Sequence, residues 1–596
     1  MTPRVMHPRW LAGALLFLLT VTVYLATPVR PLTDSAFTLL LAESVLDHGD
    51  LTLERYFPAG TGSSHQYQLE RVGDHLRYRY PMAGAVLAVP VAAVYRAAGW
   101  SVVSPEGRYD PHAAAWLQHG MASFLTAFSV VLGWALLLRA GVRGGVALGS
   151  AALFAVGTTL WSNCAQALWS DCIAMPFVLG GLALVVGSGV GGDPETKPTR
   201  GWHIAYWAAA ATLVSWGVIV RPVNAVPVAA VAVWLLWRSW PAGIVFATVG
   251  GVWAVALALF HLQVLGQIWP TYFTGPTMAL RHFAEGASGL LISPSRGLFV
   301  FTPFILVGGW WAWRYRWWVP CRSVLLLACA WVVAHWAFNA CNRIWWGGFC
   351  YGPRLMTGAL PGLLLLTGLA VEGRLRAGLP QRWGRRAMVV GPFVLAALFS
   401  IWVQARAAVA PAVHTWNELP VTVDKQPGRA WDWSEPQFLT GLLSQPPRGA
   451  AVPLPPGAVI WPGMELSTRW LWYGWGGPEE EVMRWALGRR AAIMFTGGAE
   501  GATTVSLMLR PYGVGPRPVG QTLLLRCNGE TLGSWRLETP TSRTLEVALP
   551  PGLLGRENTL LLEANPVKKA SLFEPFGDPR PLGAAVYSIR FLGPEE

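Results

Sequence analysis

The chain has 596 residues, of which 53% are hydrophobic and 13% charged, and a net charge of +13. A soluble globular protein carries charge on about a quarter of its residues, so that class is excluded. The positive balance does not point to nucleic acid either, because the basic residues sit in short loops between apolar runs, as membrane topology demands.

The first apolar segment runs from Trp10 to about Thr27 behind Arg4 and Arg9. No small-residue cleavage site precedes Arg30, so it reads as a retained anchor rather than a signal peptide. A long outer loop, 28–112, follows. Within it Ala36–Val45 lines up Phe37, Leu40, Leu41 and Val45 on one side, which predicts an interfacial amphipathic helix. Asp34 falls at the start of that helix, where the helix N-terminus stabilises a carboxylate, and Glu43 reads as a solvated residue on it. Met82–Ala98 is apolar, but a full crossing there would upset the alternation of the loops, so it reads as a short or re-entrant stretch.

Ten further spans are predicted at about 113–138, 144–163, 172–190, 203–220, 223–237, 242–266, 297–313, 321–338, 355–373 and 388–405, for about eleven in all. The basic loops then share one side: Arg139 with Arg143, Lys197 with Arg200, Arg238, Arg314 with Arg316 and Arg322, and Arg374–Arg386. Loops holding Asn163–Asp171, Arg221–Asn224, Pro270–Arg296 and Cys341–Arg354 fall on the other, with the tail from Val409. Thirty-four tryptophans suit interfacial belts, with sugar-stacking surfaces as a second use. The seven cysteines form no CxxC pair, which argues against a zinc or redox site. Cys341 with Cys350, and Cys164 with Cys172, are candidate disulfides on an oxidising side, free buried thiols being the alternative.

After residue 408 the composition changes. A Pro-rich stretch, 409–465, reads as an extended linker. Alternating runs at Thr503–Leu509, Gln521–Cys527, Thr544–Leu549, Thr559–Glu563 and Ala584–Phe591, with turn signals at Asn528-Gly529 and Pro550-Pro551-Gly552, predict a β-sandwich over 466–596. No internal repeat is evident.

The residues able to do chemistry gather on the outer side: Asp34, Asp171, Arg221, Arg296, Arg343 and Arg354. Ionisable groups at the edge of hydrocarbon are costly and mark sites. Two carboxylates with several guanidiniums suit joining a hydroxyl to an activated phosphate ester. A carboxylate takes the proton and arginine forks hold phosphate oxygens. Glycines beside Trp345 and Trp346 allow close backbone approach to a ligand, and Tyr80, Trp169, Trp345, Trp346 and Tyr351 are candidate sugar or lipid contacts.

These features resemble the GT-C superfamily of polytopic glycosyltransferases, which includes protein O-mannosyltransferases, the aminoarabinose transferase of lipid A and the oligosaccharyltransferase catalytic subunit. The resemblance rests on Thr33-Asp34-Ser35 after the first span and on Leu168-Trp169-Ser170-Asp171 in a later outer loop. Two further runs share it, LISPSRGLF from Leu291 to Phe299 and WWGGFCYGPR from Trp345 to Arg354. It implies a membrane catalytic unit over 1–408 that uses a polyprenyl-phosphate-linked sugar donor and a glycan, lipid or protein acceptor in a bacterial plasma membrane. It also implies Asp34 and Asp171 as catalytic residues, with Arg221, Arg296, Arg343 and Arg354 on donor phosphate. No cofactor is assigned and a divalent metal stays open. The chain departs from the mannosyltransferase pattern in having Asp-Ser at 34–35 and Tyr78-Arg79-Tyr80-Pro81 before Met82. In the tail, the run from Tyr473 to Glu479, Trp485, and the run from Asp578 to Gly583 resemble jelly-roll modules, for which sugar binding and a packing role both stand.

Overall fold

The computed structural model of the protein describes residues 9–57, 67–190, 203–268, 278–417, 422–442, 452–455, 457–479, 482–487, 489–497, 501–512, 520–569 and 581–594. Expectations for Arg4, Lys197, Arg200, Pro270 and Asp578–Arg580 lie outside these residues. The chain divides after Pro411 into two compact units.

The first unit is helical. Its early helices are α1 (Arg9–Leu25), α2 (Thr38–His48), α3 (Ala83–Ala97), α4 (Pro111–Arg139), α5 (Gly144–Gly157), α6 (Ser170–Gly187), α7 (His203–Val220), α8 (Ala225–Arg238) and α9 (Trp240–Leu265). Helices at Phe283–Ile292, Leu298–Phe301, Phe304–Arg314, Arg322–Ala340, Leu360–Arg376 and Trp383–Val409 follow. Six described helices are long and apolar enough to cross a membrane, and five shorter apolar helices lie among them. This is the pattern of a multi-pass integral membrane protein. Several predicted spans are shorter than expected. The one at 297–313 breaks at Thr302-Pro303, where proline supplies no N–H and the Thr302 hydroxyl turns back to Leu298 O. α5 stops at Gly157 before a single π turn at Leu160–Cys164.

α3 has 15 residues with Pro90 inside it, about 22 Å at 1.5 Å per residue, too short to cross alone. It packs on α2, and α2 is not the interfacial helix expected. Thr38 through Ser44 are all buried, because the loop wraps round the helix. Phe37 meets the rings of Phe57 and Tyr109 at 5.3 and 5.1 Å. Glu43 is buried rather than solvated: its carboxylate accepts from Ser101 Oγ at 2.6 Å and from the Val102 N–H at 2.8 Å.

None of the seven cysteines is in a disulfide. Neither candidate disulfide forms, since Cys341 Sγ points at Ala337 O and Cys350 Sγ at Trp346 O. Cys172 lies against Thr126 Oγ1 at 3.6 Å.

The first unit also holds a hairpin of β1 (Leu69–Val72) and β2 (His75–Tyr78), and the second unit is a β-sandwich of two antiparallel sheets, with the short strands β3 (Val459–Ile460) and β13 (Lys568–Lys569) added to one of them. One is ordered β10 (Glu530–Leu537), β9 (Gln521–Cys527), β12 (Glu557–Asn565), β7 (Arg490–Thr496), β4 (Leu471–Tyr473). The other runs β11 (Arg543–Ala548), β8 (Thr504–Pro511), β14 (Pro581–Leu592), β6 (Met483–Leu487), β5 (Trp475–Glu479). Alternation turns Leu523, Leu525, Leu560 and Leu562 of one sheet onto Val505 and Leu507 of the other, and a register shift after Val586 brings Ile589 into the same core. Asn528 and Gly529, with φ of 49° and 90°, make the β9–β10 hairpin turn. At Gly474, φ +79°, a Cβ would strike Arg490 O, which lets the chain turn tightly from β4 into β5. The stretch expected as an extended linker contributes Leu454 and Ile460 to this core, with Val459–Ile460 pairing on β14. Trp475 is buried, its indole N–H on Ala492 O at 2.7 Å.

Replacing Glu43 by Ala leaves the Val102 N–H without its buried acceptor, so thermal unfolding of the purified chain should show a loss of about 1–3 kcal/mol. An unchanged transition would mean that the carboxylate does not anchor the loop.

Candidate active site

Between α1 and α2 the backbone at 33–36 is held from several sides. Gln118 on α4 donates to Ser35 O and Ala36 O, both at 3.0 Å, Tyr109 OH to Ala36 O at 2.8 Å and Gln68 to Thr33 O at 3.1 Å. Tyr78 OH donates to Asp34 O. This clamp leaves the Asp34 side chain free to point away from the backbone. Its Oδ1 accepts from Tyr80 OH at 2.9 Å and Tyr67 OH at 3.3 Å, and its Oδ2 from Arg354 Nη2 at 2.8 Å. Asp34 is therefore not the expected helix cap; α2 begins four residues later with Phe37 at its N-cap and no side-chain cap. Burial, then the Asp34 charge, pushes the Tyr67 phenol above the usual tyrosine range. Tyr67 thus stays a donor to the carboxylate.

Arg354 arrives on the glycine-rich loop from Trp345. Gly347, Gly348 and Gly352 take φ of 74°, 65° and 57°, and a Cβ on Gly352 would sit 2.7 Å from the Phe301 ring. Arg296 is buried beneath this loop and donates to Trp346 O at 2.6 Å, Ser295 O at 2.9 Å and Gly348 O at 3.3 Å. Asn163 donates to Tyr351 O at 3.0 Å, and Tyr351 OH to Val403 O at 2.7 Å. Beyond Arg354, His335 Nε2 donates to Leu355 O at 2.8 Å and the Trp331 indole to Gly358 O at 2.8 Å. Every one of these bonds fixes backbone, so Arg354 is presented by a scaffold rather than by a mobile loop. Its guanidinium lies 3.6 Å from the centre of the Trp169 ring.

Trp169 leads directly into Ser170 and Asp171, in the first turn of α6, where a carboxylate suits the helix N-terminus. Pro222 ends α7 and leaves Arg221 extended at the corner. Arg221 Nε lies 2.6 Å from Asp171 Oδ1, with 9% and 3% of the two side chains exposed. Its Nη1 donates to Ser170 Oγ at 2.9 Å. The contact is close but off-line for a hydrogen bond, and both Asp171 oxygens lack an aligned donor among the described residues. α6 and α7 come this close because Gly181 and Gly217 face Val214 and Val178, where any Cβ would collide. Asp34 and Arg354 lie within electrostatic reach of Asp171. Asp34, Arg354, Asp171 and Arg221 therefore form one neutral tetrad around Trp169.

Beside Tyr80 is an open hollow. Glu70, Arg79, Tyr80 and His261 give it a polar side, and Ile219 of α7 with Leu257, Phe260 and Leu265 of α9 an apolar one. In α9 only 11% of the most apolar stretch is buried, so this wall borders the lipid-facing surface.

The remaining predicted residues are elsewhere. Arg296 is committed to carbonyls, and Arg343 is exposed on the turn after Cys341. Trp345 is buried with its N–H on Glu285 at 3.0 Å, Trp346 is nearly buried, and Tyr351 is a loop anchor. Of the five aromatic candidates, Tyr80 and Trp169 line the tetrad. Tyr67 and Tyr78 were not anticipated, although Tyr78 and Tyr80 alternate at the end of a strand and so share a face. Among the described residues, no three His, Cys, Asp or Glu side chains gather in a metal-binding group.

No family model and no curated protein matches the chain. Among solved structures it is similar to ArnT from Cupriavidus metallidurans bound to undecaprenyl phosphate, at 18% identity and a TM-score of 0.41 over 71% of this chain and 68% of that one. It is also similar to the arabinofuranosyltransferase AftD from mycobacteria, at 13% identity and a TM-score of 0.40 over 98% of this chain and 58% of that one.

Replacing Arg296 by Gln should lower thermal stability by about 1–3 kcal/mol for each buried carbonyl left unpaired. Replacing the exposed Arg343 by Gln should stay within about 0.5 kcal/mol. Equal effects in unfolding scans would contradict the two placements.

Proposed function

We propose that this chain is a GT-C-type membrane glycosyltransferase that moves a sugar from a polyprenyl-phosphate carrier to a glycan, lipid or protein acceptor. The observation that carries the reading is the tetrad: a carboxylate held by a guanidinium and two phenols, next to a second buried carboxylate–guanidinium pair, beside a hollow with one polar and one apolar wall. That combination suits a substrate with a sugar, a phosphate and a hydrocarbon tail.

In the proposed reaction the acceptor hydroxyl displaces Tyr67 or Tyr80 as the donor to Asp34. The carboxylate takes the proton as the hydroxyl oxygen bonds to the anomeric carbon. The bond from that carbon to the carrier phosphate oxygen breaks, and its electron pair leaves with the phosphate. Arg354 exchanges part of its contact with Asp34 for the departing phosphate, a partner its planar fork matches equally well. Asp171, held by Arg221, has unsatisfied oxygens and orients a sugar hydroxyl. Ile219, Leu257, Phe260 and Leu265 take the first isoprene units of the tail.

The topology that goes with this reading has about eleven crossings, with the basic loops cytoplasmic and the tetrad and β-sandwich extracytoplasmic in a bacterial plasma membrane. A lipid-borne donor accounts for a reactive centre at the bilayer edge, where the tail stays in hydrocarbon while the phosphate reaches arginine.

Transfer of radiolabelled sugar from polyprenyl-phosphate donors in membranes tests it. Asp34→Asn should cut transfer by about 10²–10⁴-fold, and Arg354→Gln should abolish it by leaving a half-buried carboxylate unpaired. Full transfer by Asp34→Asn would overturn the mechanism. It would favour a ligase that relies on the arginines alone.

A further inference from the structure

The far end of the helical unit carries a second charged surface that the tetrad does not use. The Phe304–Arg314 helix ends where the Arg374 guanidinium lies 4.9 Å from the Tyr315 ring, about 21 Å along the Leu360–Arg376 helix from its start after the Arg354 turn. Trp310, Trp313, Trp317 and Trp318 are 53–64% exposed there. Arg316 lies over Trp313 and Trp317 at 5.8 and 5.2 Å, and Arg322 over Trp317 at 3.9 Å. Their hydrogen bonds go to backbone, from Arg316 to Trp313 O and from Arg322 to Trp317 O. None of Arg314, Arg316 and Arg322 has an acidic partner among the described residues; the buried Glu372 is taken by Arg143 and Arg376. The end of α8 adjoins this surface through the Trp234 indole on Ser323 O at 3.0 Å and adds the exposed Trp237, with the exposed Trp240 opening α9.

We propose that this edge binds the phosphate headgroup of an anionic phospholipid. A guanidinium lying on an indole face keeps its N–H edge open to phosphate oxygens. Indoles exposed at the end of an apolar helix settle at the headgroup level, with their carbon faces toward acyl chains. Three cations without counter-charges at such a boundary require anions from outside the protein, and anionic lipid supplies them. Inorganic phosphate has the same acceptor oxygens but nothing for the four indoles, so the surface fits a lipid rather than the free ion.

The test uses the full chain purified in neutral detergent, comparing its thermal transition with added phosphatidylglycerol and with phosphatidylcholine. Phosphatidylglycerol should raise the transition more, and Arg314→Gln/Arg316→Gln/Arg322→Gln should remove the difference, preference falling roughly fivefold per arginine. Equal shifts by the two lipids, or an undiminished preference in the triple variant, would overturn the proposal. So would inorganic phosphate reproducing the whole effect. Should the triple variant not fold, wild-type protein in rising salt decides: the preference must shrink with screening, and a salt-independent preference counts against it.

Discussion

The ion pair between Asp34 and Arg354 joins points 320 residues apart and sets what the rest of the helical unit must do. Only 24% and 11% of the two side chains are exposed, so each charge gives up most of its hydration. Such a pair persists only when geometry is held closely and both partners stay in place. The surrounding bonds supply that constraint. Gln118, Tyr109, Tyr78 and Gln68 fix the backbone behind Asp34. Arg296, Asn163, His335 and Trp331 fix the backbone on either side of Arg354.

In the proposed reading the second pair, Asp171 with Arg221, gives this arrangement a part in the reaction beyond clasping the loops. It lies deeper than the first, and Trp169 links the two by stacking on Arg354 one residue before Ser170. Two positive and two negative groups cancel overall, which makes their burial tolerable. A phosphate or a proton entering among them changes the balance at once. A centre of this kind suits charge that develops and moves during transfer. The opposite end of the unit is different: arginines there stack on exposed indoles and have no acidic partner among the described residues.

Much of this was legible in the sequence for a simple reason. Charges are scarce along the apolar segments, so Asp34, Asp171, Arg221 and Arg354 stood out at segment ends, and loop charges put them on one side. Strand alternation similarly exposed the sandwich, because period two is written directly in residues such as Leu523, Leu525, Leu560 and Leu562. What stayed hidden was direction. Nothing in the residue type of Arg296 says that its guanidinium turns inward to carbonyls, or that Trp345 buries its ring against Gly289. Glu43 looked solvated because its partners, Ser101 and Val102, are almost sixty positions away. The interfacial reading of α2 failed for the same cause: a loop that wraps a helix buries its polar side too. Helix interruptions at Thr302-Pro303 and Gly157 were likewise masked by continuous hydropathy.

The claim that two ion pairs make one reactive centre is tested most directly by a double-mutant cycle on sugar transfer with Asp34→Asn and Asp171→Asn. Residues acting as a unit lose function together, so the double variant should be no slower than about the worse single variant. Losses that multiply, as they do for independent positions, would show that the carboxylates serve separate ends.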